Sequence, residues 1–573
     1  MESTKATKQK KYIQRALVVI AVLIGINVLA GYFHGRLDLT REKRFTLSQP
    51  TKQLLRKLDG TVSVTVFLKG DYPSSFKQLA QTTQELLASF KEYGGPNIQY
   101  DFINPSQGLS DSSFAILQDS LAAKGIMAYN LQVQQEANQG YAEKLIFPAA
   151  MLHYKDRTIS VNLLKSQGGQ DPQAALNSSE SLLEYQFANA IRKLQQTERP
   201  LIGYMLGHGE SLGLEVYDAL NTLQNNYRLD TVTLQAHGYI PPEFNAIIFT
   251  HPTERFTDED KLKIDQYVMH GGRVMWMIDP LSASIDSMNG QQDYMAFDQG
   301  LNLEDILFRY GVRINSDLVE DLQCDLVPQV VGNMGGKPQI QPLPFPFFPL
   351  LQPAGTHPIV KNMDEVMSRF VSSIDTVGGS DIVKTILLTT DHNSRRVPAP
   401  VKLSWSELSV KPNPREFRLS QLPVAVLLEG KFKSLFQHRL SRAEEDSFAQ
   451  LSGKDFIQQA DTINKMIIVS DADVITNAVS QKNGPLQMGV NLYNPDYVFA
   501  NKEFFLNSLE YLTTNDAGIM ETRNKELVLR LLDPKKVTAE KTKWQAICFL
   551  VPIGLVLLFA MIFQFIRQQK NTK

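Results

Sequence analysis

Two uncharged apolar runs stand near the two ends of this chain, and they constrain everything between them. The first reads ALVVIAVLIGINVLAGYF over residues 16–33, and the second reads AICFLVPIGLVLLFAMIFQFI over residues 546–566. Each approaches the ~20 residues that a helix needs to cross a hydrocarbon core of roughly 30 Å. The first run is longer than the apolar segment of a signal peptide. Arg36, Asp38 and Arg41 follow it, where a small-residue cleavage site would otherwise stand. Trp544 borders the second run as an interfacial anchor, and Pro552 is tolerable near the start of such a helix. Two spans place both termini on one side of a bilayer and the intervening body on the other. Cations flank the runs equally on both sides, so charge alone leaves the orientation open.

The body between the runs is too long for one hydrophobic core. A net charge of -2 gives the chain no general attraction to nucleic acid. Its two cysteines, Cys324 and Cys548, supply no disulfide framework. Alternation of Val62, Val64, Val66 and Leu68 predicts a strand over 61–68. Leucines and aromatics at helical spacing follow as far as Gly94-Gly95, and 97–103 alternates again. This β-α-β unit is thioredoxin-like in outline, but no Cys-x-x-Cys is present. A helix is expected over 182–194, with Ser181 and Glu184 as its capping box. From 201 onward strands and helices alternate, which implies a parallel sheet with helices on its faces. Seven prolines between 337 and 358 demand an extended stretch, either a loop that packs its phenylalanines on the body or a partner-binding polyproline segment. The expected organisation is therefore a multi-domain α/β body between two spans. A tail (1–15) and span (16–33) precede an N-terminal α/β domain (36–196). An α/β domain (200–330), a Pro-rich loop (331–358) and a C-terminal α/β region (359–540) come next, before the second span (546–566) and tail (567–573).

Gly207-His208-Gly209-Glu210-Ser211-Leu212-Gly213 falls between a strand and a helix, where a dinucleotide-binding turn would lie. Its G-x-G-x-x-x-G spacing is one residue longer than that fingerprint, and Asp230 is poorly placed to hold a ribose. Gly207, His208, Gly209 and Glu210, with Asp279 at the end of a later strand, remain candidate ligand- or partner-binding residues at the sheet's carboxyl edge. His208 and Glu210 also suit a general acid/base pair or half a metal site, but no second His-rich element supplies the missing ligands. Asp471 and Asp473 could hold a cation or cap a turn. The sequence has no G-x-x-x-x-G-K-[ST]. No cofactor, resident metal or catalytic residue is indicated.

Several segments, taken in order, carry a resemblance. They are RFTLS (44–48), VTVFLKGDYP (64–73), LEYQFANAIRKL (183–194), GYMLGHGE (203–210) and IDQYVMHGGRVMWMIDP (264–280), followed by RYGVRIN, HPIVKNMD, NKEFFLN and LVLRLLD. Together with both apolar runs, they resemble the GldG family, the gliding-motility-associated auxiliary or substrate-binding subunits of ABC transporters in Bacteroidetes-type bacteria. The resemblance implies a two-pass inner-membrane protein with a periplasmic body, partnered by a separate permease and a separate ATPase. It also implies that the α/β region is a degenerate glutamine-amidotransferase-like domain without its Cys nucleophile. It supplies no ligand residues. Three functions follow as expectations: a non-catalytic accessory subunit associated with gliding or surface-protein export, a periplasmic binding protein for a sugar, peptide or nucleotide-like molecule, and a membrane-anchored hydrolase using His208 and Glu210.

Overall fold

Strand formation near the start of the body follows directly from three valines that share one face. The computed structural model describes residues 18, 20–22, 24–25 and 46–571, apart from 71, 106, 109, 127, 135–140, 165–171, 289–292, 335–336, 379–380, 515–517 and 525–533. Most of the first apolar run therefore lies outside the described residues. Helix α1 (Gln49–Arg56) starts where the Ser48 hydroxyl accepts the Thr51 N–H, with Pro50 in the first turn. Strand β1 (Val62–Val66) buries all three valines. Helix α2 (Ser74–Gly94) then returns the chain to β2 (Ile98–Phe102), which runs parallel to β1. Helix α3 (Asp111–Ala123) and the hairpin β3 (Tyr129–Gln134) and β4 (Tyr141–Ile146) lead into β5 (Ala149–Tyr154) and β6 (Arg157–Asn162). The resulting sheet has the order β2-β1-β5-β6, with β1 and β5 antiparallel.

Helix α4 (Pro172–Gln195) packs Leu183, Phe187, Ile191 and Leu194 into the same core. It begins well before residue 182, so Ser181 and Glu184 are interior positions and form no capping box. Pro172 suits a first turn, and nothing in the following AALNSSE breaks a helix. Ser181 instead donates to the Ser178 carbonyl (2.7 Å), and Glu184 accepts the Ser48 N–H (2.7 Å).

A larger sheet occupies the rest of the body. Strand β7 (Leu201–Leu206), helix α5 (Tyr217–Asn226), strands β8 (Arg228–Thr233) and β9 (Ala246–Thr250), helix α6 (Asp258–Met269) and strand β10 (Val274–Met277) give four parallel strands in the order β8-β7-β9-β10. Thr257 and Asp260 cap α6 reciprocally, as their spacing predicts. Helix α7 (Glu304–Tyr310) and strands β11 (Cys324–Met334), β12 (Lys337–Pro353), β13 (Ile382–Thr389), β14 (Pro423–Gly430) and β15 (Asn464–Val469) follow, then helix α8 (Asn501–Thr513). Strand β15 pairs parallel with β10 and antiparallel with β14, and β13, β12 and β11 continue antiparallel. The sheet is thus parallel in one half and antiparallel in the other, and not parallel throughout as the alternation implied. Segments expected as separate regions, 200–330 and 359–540, share it. The reason is β10: buried on both faces, it needs a ladder on each side, and β9 supplies only one. Two apolar clusters cover the faces. One is built around Ile248, Met275, Leu427 and Phe504, and the other around Phe249, Trp276, Val268 and Phe432.

The proline-rich stretch, expected as a loop, is mostly β12. Proline excludes helix but fits an extended backbone, and the residues between the prolines keep enough N–H groups to pair with β11. Phe345, Phe347 and Phe348 are buried, with Phe345 and Phe348 edge-to-face at 4.8 Å. The register with β11 slips between Cys324 and Leu326 and again between Val330 and Gly332.

Residues 526–573 form a second unit. Its helix α9 (Pro534–Asn571) contains, over residues 540–569, the one stretch among the described residues long and apolar enough to cross a membrane.

Helices α4 and α8 are joined by buried charge. Glu510 accepts from Arg192 (2.6 Å) and Asn189 (3.0 Å) and lies 3.5 Å from Lys193. Burial opposes ionisation of Glu510, but Lys193, Arg192 and Asn189 outweigh it and hold the carboxyl below its ordinary range. Its stabilisation is therefore present above the ordinary glutamate value of ~4.3 and is lost as pH falls through the lowered one. Glu510→Ala is expected to destabilise the body by roughly 2–3 kcal/mol, less than a fully buried pair because Arg192 and Lys193 retain some solvent. A thermal melt of the variant beside Glu510→Gln, which should lose less, checks this.

Candidate functional site

The carboxyl ends of the parallel strands bring together the turn after β7, the turns after β9 and β10, and the segment after β15. Gly207 (φ 118°) and Gly209 (φ 87°) need the left-handed backbone that only glycine adopts easily. A Cβ on Gly207 would fall 1.9 Å from Gln235 Oε1, and one on Gly209 would fall 2.0 Å from Thr253 Oγ1. The turn thus closes on the protein's own side chains. Gln235 donates to the Gly207 carbonyl (2.7 Å), and the Thr253 and Glu254 N–H groups donate to the His208 carbonyl (2.7 and 2.9 Å). Tyr204 ties the far side down, donating to the Ser211 carbonyl (2.7 Å) and accepting from Thr250 (2.6 Å).

His208 sits beneath this turn with 1% of its surface exposed. Its ring stacks on Phe256 at 3.7 Å, and Nε2 lies 3.3 Å from Asp260 Oδ2 and 3.3 Å from Gln235 Nε2. Glu210 folds back so that Oε2 accepts the His208 N–H (2.7 Å). The other Glu210 oxygen and His208 Nδ1 face each other at 4.0 Å, and neither has another partner among the described residues. Burial pushes the Glu210 carboxyl up, against that backbone bond. The same effect acts on Asp260, but bonds from Thr257 and His208 prevail and lower it. This is a buried polar knot fixing the turn to α6, and its imidazole is not presented to an open cleft.

Asp279 joins a different group. Its Oδ2 lies 2.6 Å from His251 Nδ1, and its Oδ1 accepts the Ala472 N–H (2.9 Å). Asp471 accepts the Asp473 and Arg369 N–H groups (2.7 and 2.9 Å), which makes it a turn cap. Burial, with Asp473 and Asp279 nearby, raises the Asp471 carboxyl well above its ordinary range. His251 was not singled out in the sequence, and its only signal is its place directly after the strand AIIFT, whose first four residues are apolar. It adopts φ 50° and leaves 43% of its side chain exposed, so it is the ionisable group here that reaches solvent. Among the described residues no three His, Cys, Asp or Glu side chains converge as metal ligands.

His208→Ala is expected to cost roughly 2–4 kcal/mol, because it opens a cavity beside Phe256 and takes one hydrogen-bond donor from Asp260. A chemical denaturation curve measures this. The Asp279 bond raises His251 to about 9, over the opposing effect of burial. The ion pair therefore stabilises the fold fully below the ordinary histidine value of ~6.5 and is lost as pH rises through about 9. An NMR titration of the His251 ring should show that midpoint, and Asp279→Asn should return it to the ordinary range or below.

Comparison with known proteins adds a family. A profile described as "ABC-type uncharacterized transport system" matches residues 199–508, and one for a domain of unknown function matches residues 41–153. An uncharacterized protein of Borreliella burgdorferi is 19% identical over 502 residues, covering 85% of this chain and 86% of its own. Among solved structures, the mmIFT52 N-terminal domain is 12% identical with a TM-score of 0.30, covering 55% of this chain and 98% of its own. A thua-like protein from Parabacteroides merdae is 10% identical with a TM-score of 0.27, covering 56% and 91%. With more than half of its length matched by the transport profile, the chain belongs to that ABC-type transport family as an auxiliary protein.

Proposed function

We propose that this auxiliary protein is a non-catalytic, membrane-anchored subunit that docks on a separate ABC permease served by a separate ATPase. The family match over 199–508 carries the reading. It is supported by the helix over 540–569, whose exposed Phe549, Leu550, Leu555, Phe559 and Phe563 suit lipid or the helices of a permease. The sequence has no G-x-x-x-x-G-K-[ST] loop, which fits a division of labour in which a separate subunit hydrolyses ATP. Burial of His208 against Phe256 favours a packing role for that histidine over proton transfer. In the fuller form of the proposal the first apolar run is a second anchor, the body lies in the periplasm of a bacterial inner membrane, and the transporter serves gliding or surface-protein export.

Affinity purification of the tagged chain from detergent-solubilised membranes tests the reading. A permease and an ATPase are expected in stoichiometric amounts, and a chain lacking residues 540–573 is expected to lose them. Recovery of the intact chain alone under mild detergent would overturn it.

A further inference from the structure

A cavity of about 1100 Å³ opens at the other end of the large sheet from His208 and Asp279. Strand β13 begins at Ile382 opposite Gly430, the last residue of β14, and Gly430 lies opposite Asn464, the first of β15. The cleft is thus at the amino edge of the parallel strands. Its walls are α7 with the following strand Val312–Ile314, then Val377, Gly378 and Asp381 ahead of β13, and the segment after β14.

These walls are fixed from behind by one carboxylate. Asp265, fully buried on α6, accepts the Tyr310 hydroxyl (2.9 Å), the Ser434 hydroxyl (2.6 Å), the Leu435 N–H (2.8 Å) and the Gln266 amide (3.1 Å). Arg309 clamps the front, donating to the Ser434 carbonyl (3.0 Å) and Gln437 (2.5 Å). A site held this firmly loses little freedom when it is filled.

Six cationic side chains line the cleft against three carboxylates, and two of the six are already paired, Arg313 with Asp375 (2.6 Å) and Lys433 with Asp381 (2.6 Å). Two of those carboxylates are occupied, Asp305 by Lys261 (3.0 Å) and Asp381 by Lys433 (2.6 Å). Arg309 gives its donors to neutral oxygens, and the exposed Lys431 and Arg439 pair with no carboxylate among the described residues. The walls are also apolar. Phe308 is 56% exposed and stands with Ile314, Val377, Ile382 and Leu435. The volume is at the upper end of, or beyond, the ~300–1,000 Å³ typical of small-molecule sites, and it dwarfs a single inorganic anion. Carboxylates on the wall and a net charge of -2 disfavour nucleic acid.

We propose that this cleft binds an extended polypeptide segment in which acidic and apolar side chains alternate. The acidic groups meet Lys431, Arg439 and Arg309, and the apolar ones lie on Phe308 and Leu435. This site is remote from the candidate residues at the carboxyl edge and does not rest on the permease reading, so either proposal can fail alone.

Fluorescence anisotropy of the full-length protein in detergent, with a labelled peptide of alternating Glu and Leu as probe, tests it. Saturable binding is expected, weakened at least about tenfold by Lys431→Glu with Arg439→Glu and by raised salt, since these charges are exposed. Phe308→Ser is expected to weaken it at least about fivefold, and unaltered thermal melts establish that both variants fold. An unchanged affinity in both variants would overturn the proposal. So would equal binding of the matching Lys-Leu peptide, displacement by single-stranded DNA at lower concentration, or no binding up to about 1 mM peptide.

Discussion

Backbone pairing along β15 is the constraint on which the large sheet depends. The strand is buried from Met466 to Val469 and is hydrogen-bonded on both sides, to β10 in parallel and to β14 in antiparallel register. Buried amides left without partners would each cost on the order of 1–3 kcal/mol, so removing this strand would strand two ladders together. It also sets the chemistry at both ends. Its carboxyl end delivers the Ala472 N–H to Asp279, and its amino end, level with Gly430, fixes one wall of the cationic cleft.

Buried polar and charged groups inside this protein work mainly as fastening. Glu510 ties α4 to α8, Asp265 gathers α7 and the 434–435 segment onto α6, and Asn501 bonds the Met367 backbone and the Val474 carbonyl from full burial. Each polar group sits where a helix meets a segment distant in sequence. Apolar contacts tolerate sliding, whereas a carboxylate with three or four directed donors does not. Arg523 follows the same rule, reaching Glu503, Asn507 and the Lys361 carbonyl while stacking over Tyr185 at 4.8 Å.

Much of the local structure was legible in the sequence because it is encoded locally. Alternation marked β1 and β2, the apolar AIIF marked β9, and Thr257 with Asp260 marked the start of α6. Non-local choices were not legible. Nothing in NKMIIV says that its partner is VMWM and not a nearer strand, and proline-rich β12 reads as a loop because its strand character depends on β11. The candidate turn was found through its glycines, yet what fills it, Gln235 and Thr253, lies on other connections. His208 and Asp279 were grouped by their positions at strand ends. The fold gives them different partners because side-chain direction at an edge is set by tertiary packing: Asp260 takes one and His251 the other.

The outer strand of the sheet, β11, leaves Val330 and Val331 well exposed beside Ile340 of β12. A long apolar strand with one unpaired side is a template for chain-on-chain stacking into fibrils. Here Pro328 withholds a donor, and the two register slips flanking it bend the ribbon away from flatness. The unpaired groups therefore never line up over a run long enough to seed a growing stack. Copies crowded at high local concentration can lie edge to edge without polymerising through that border.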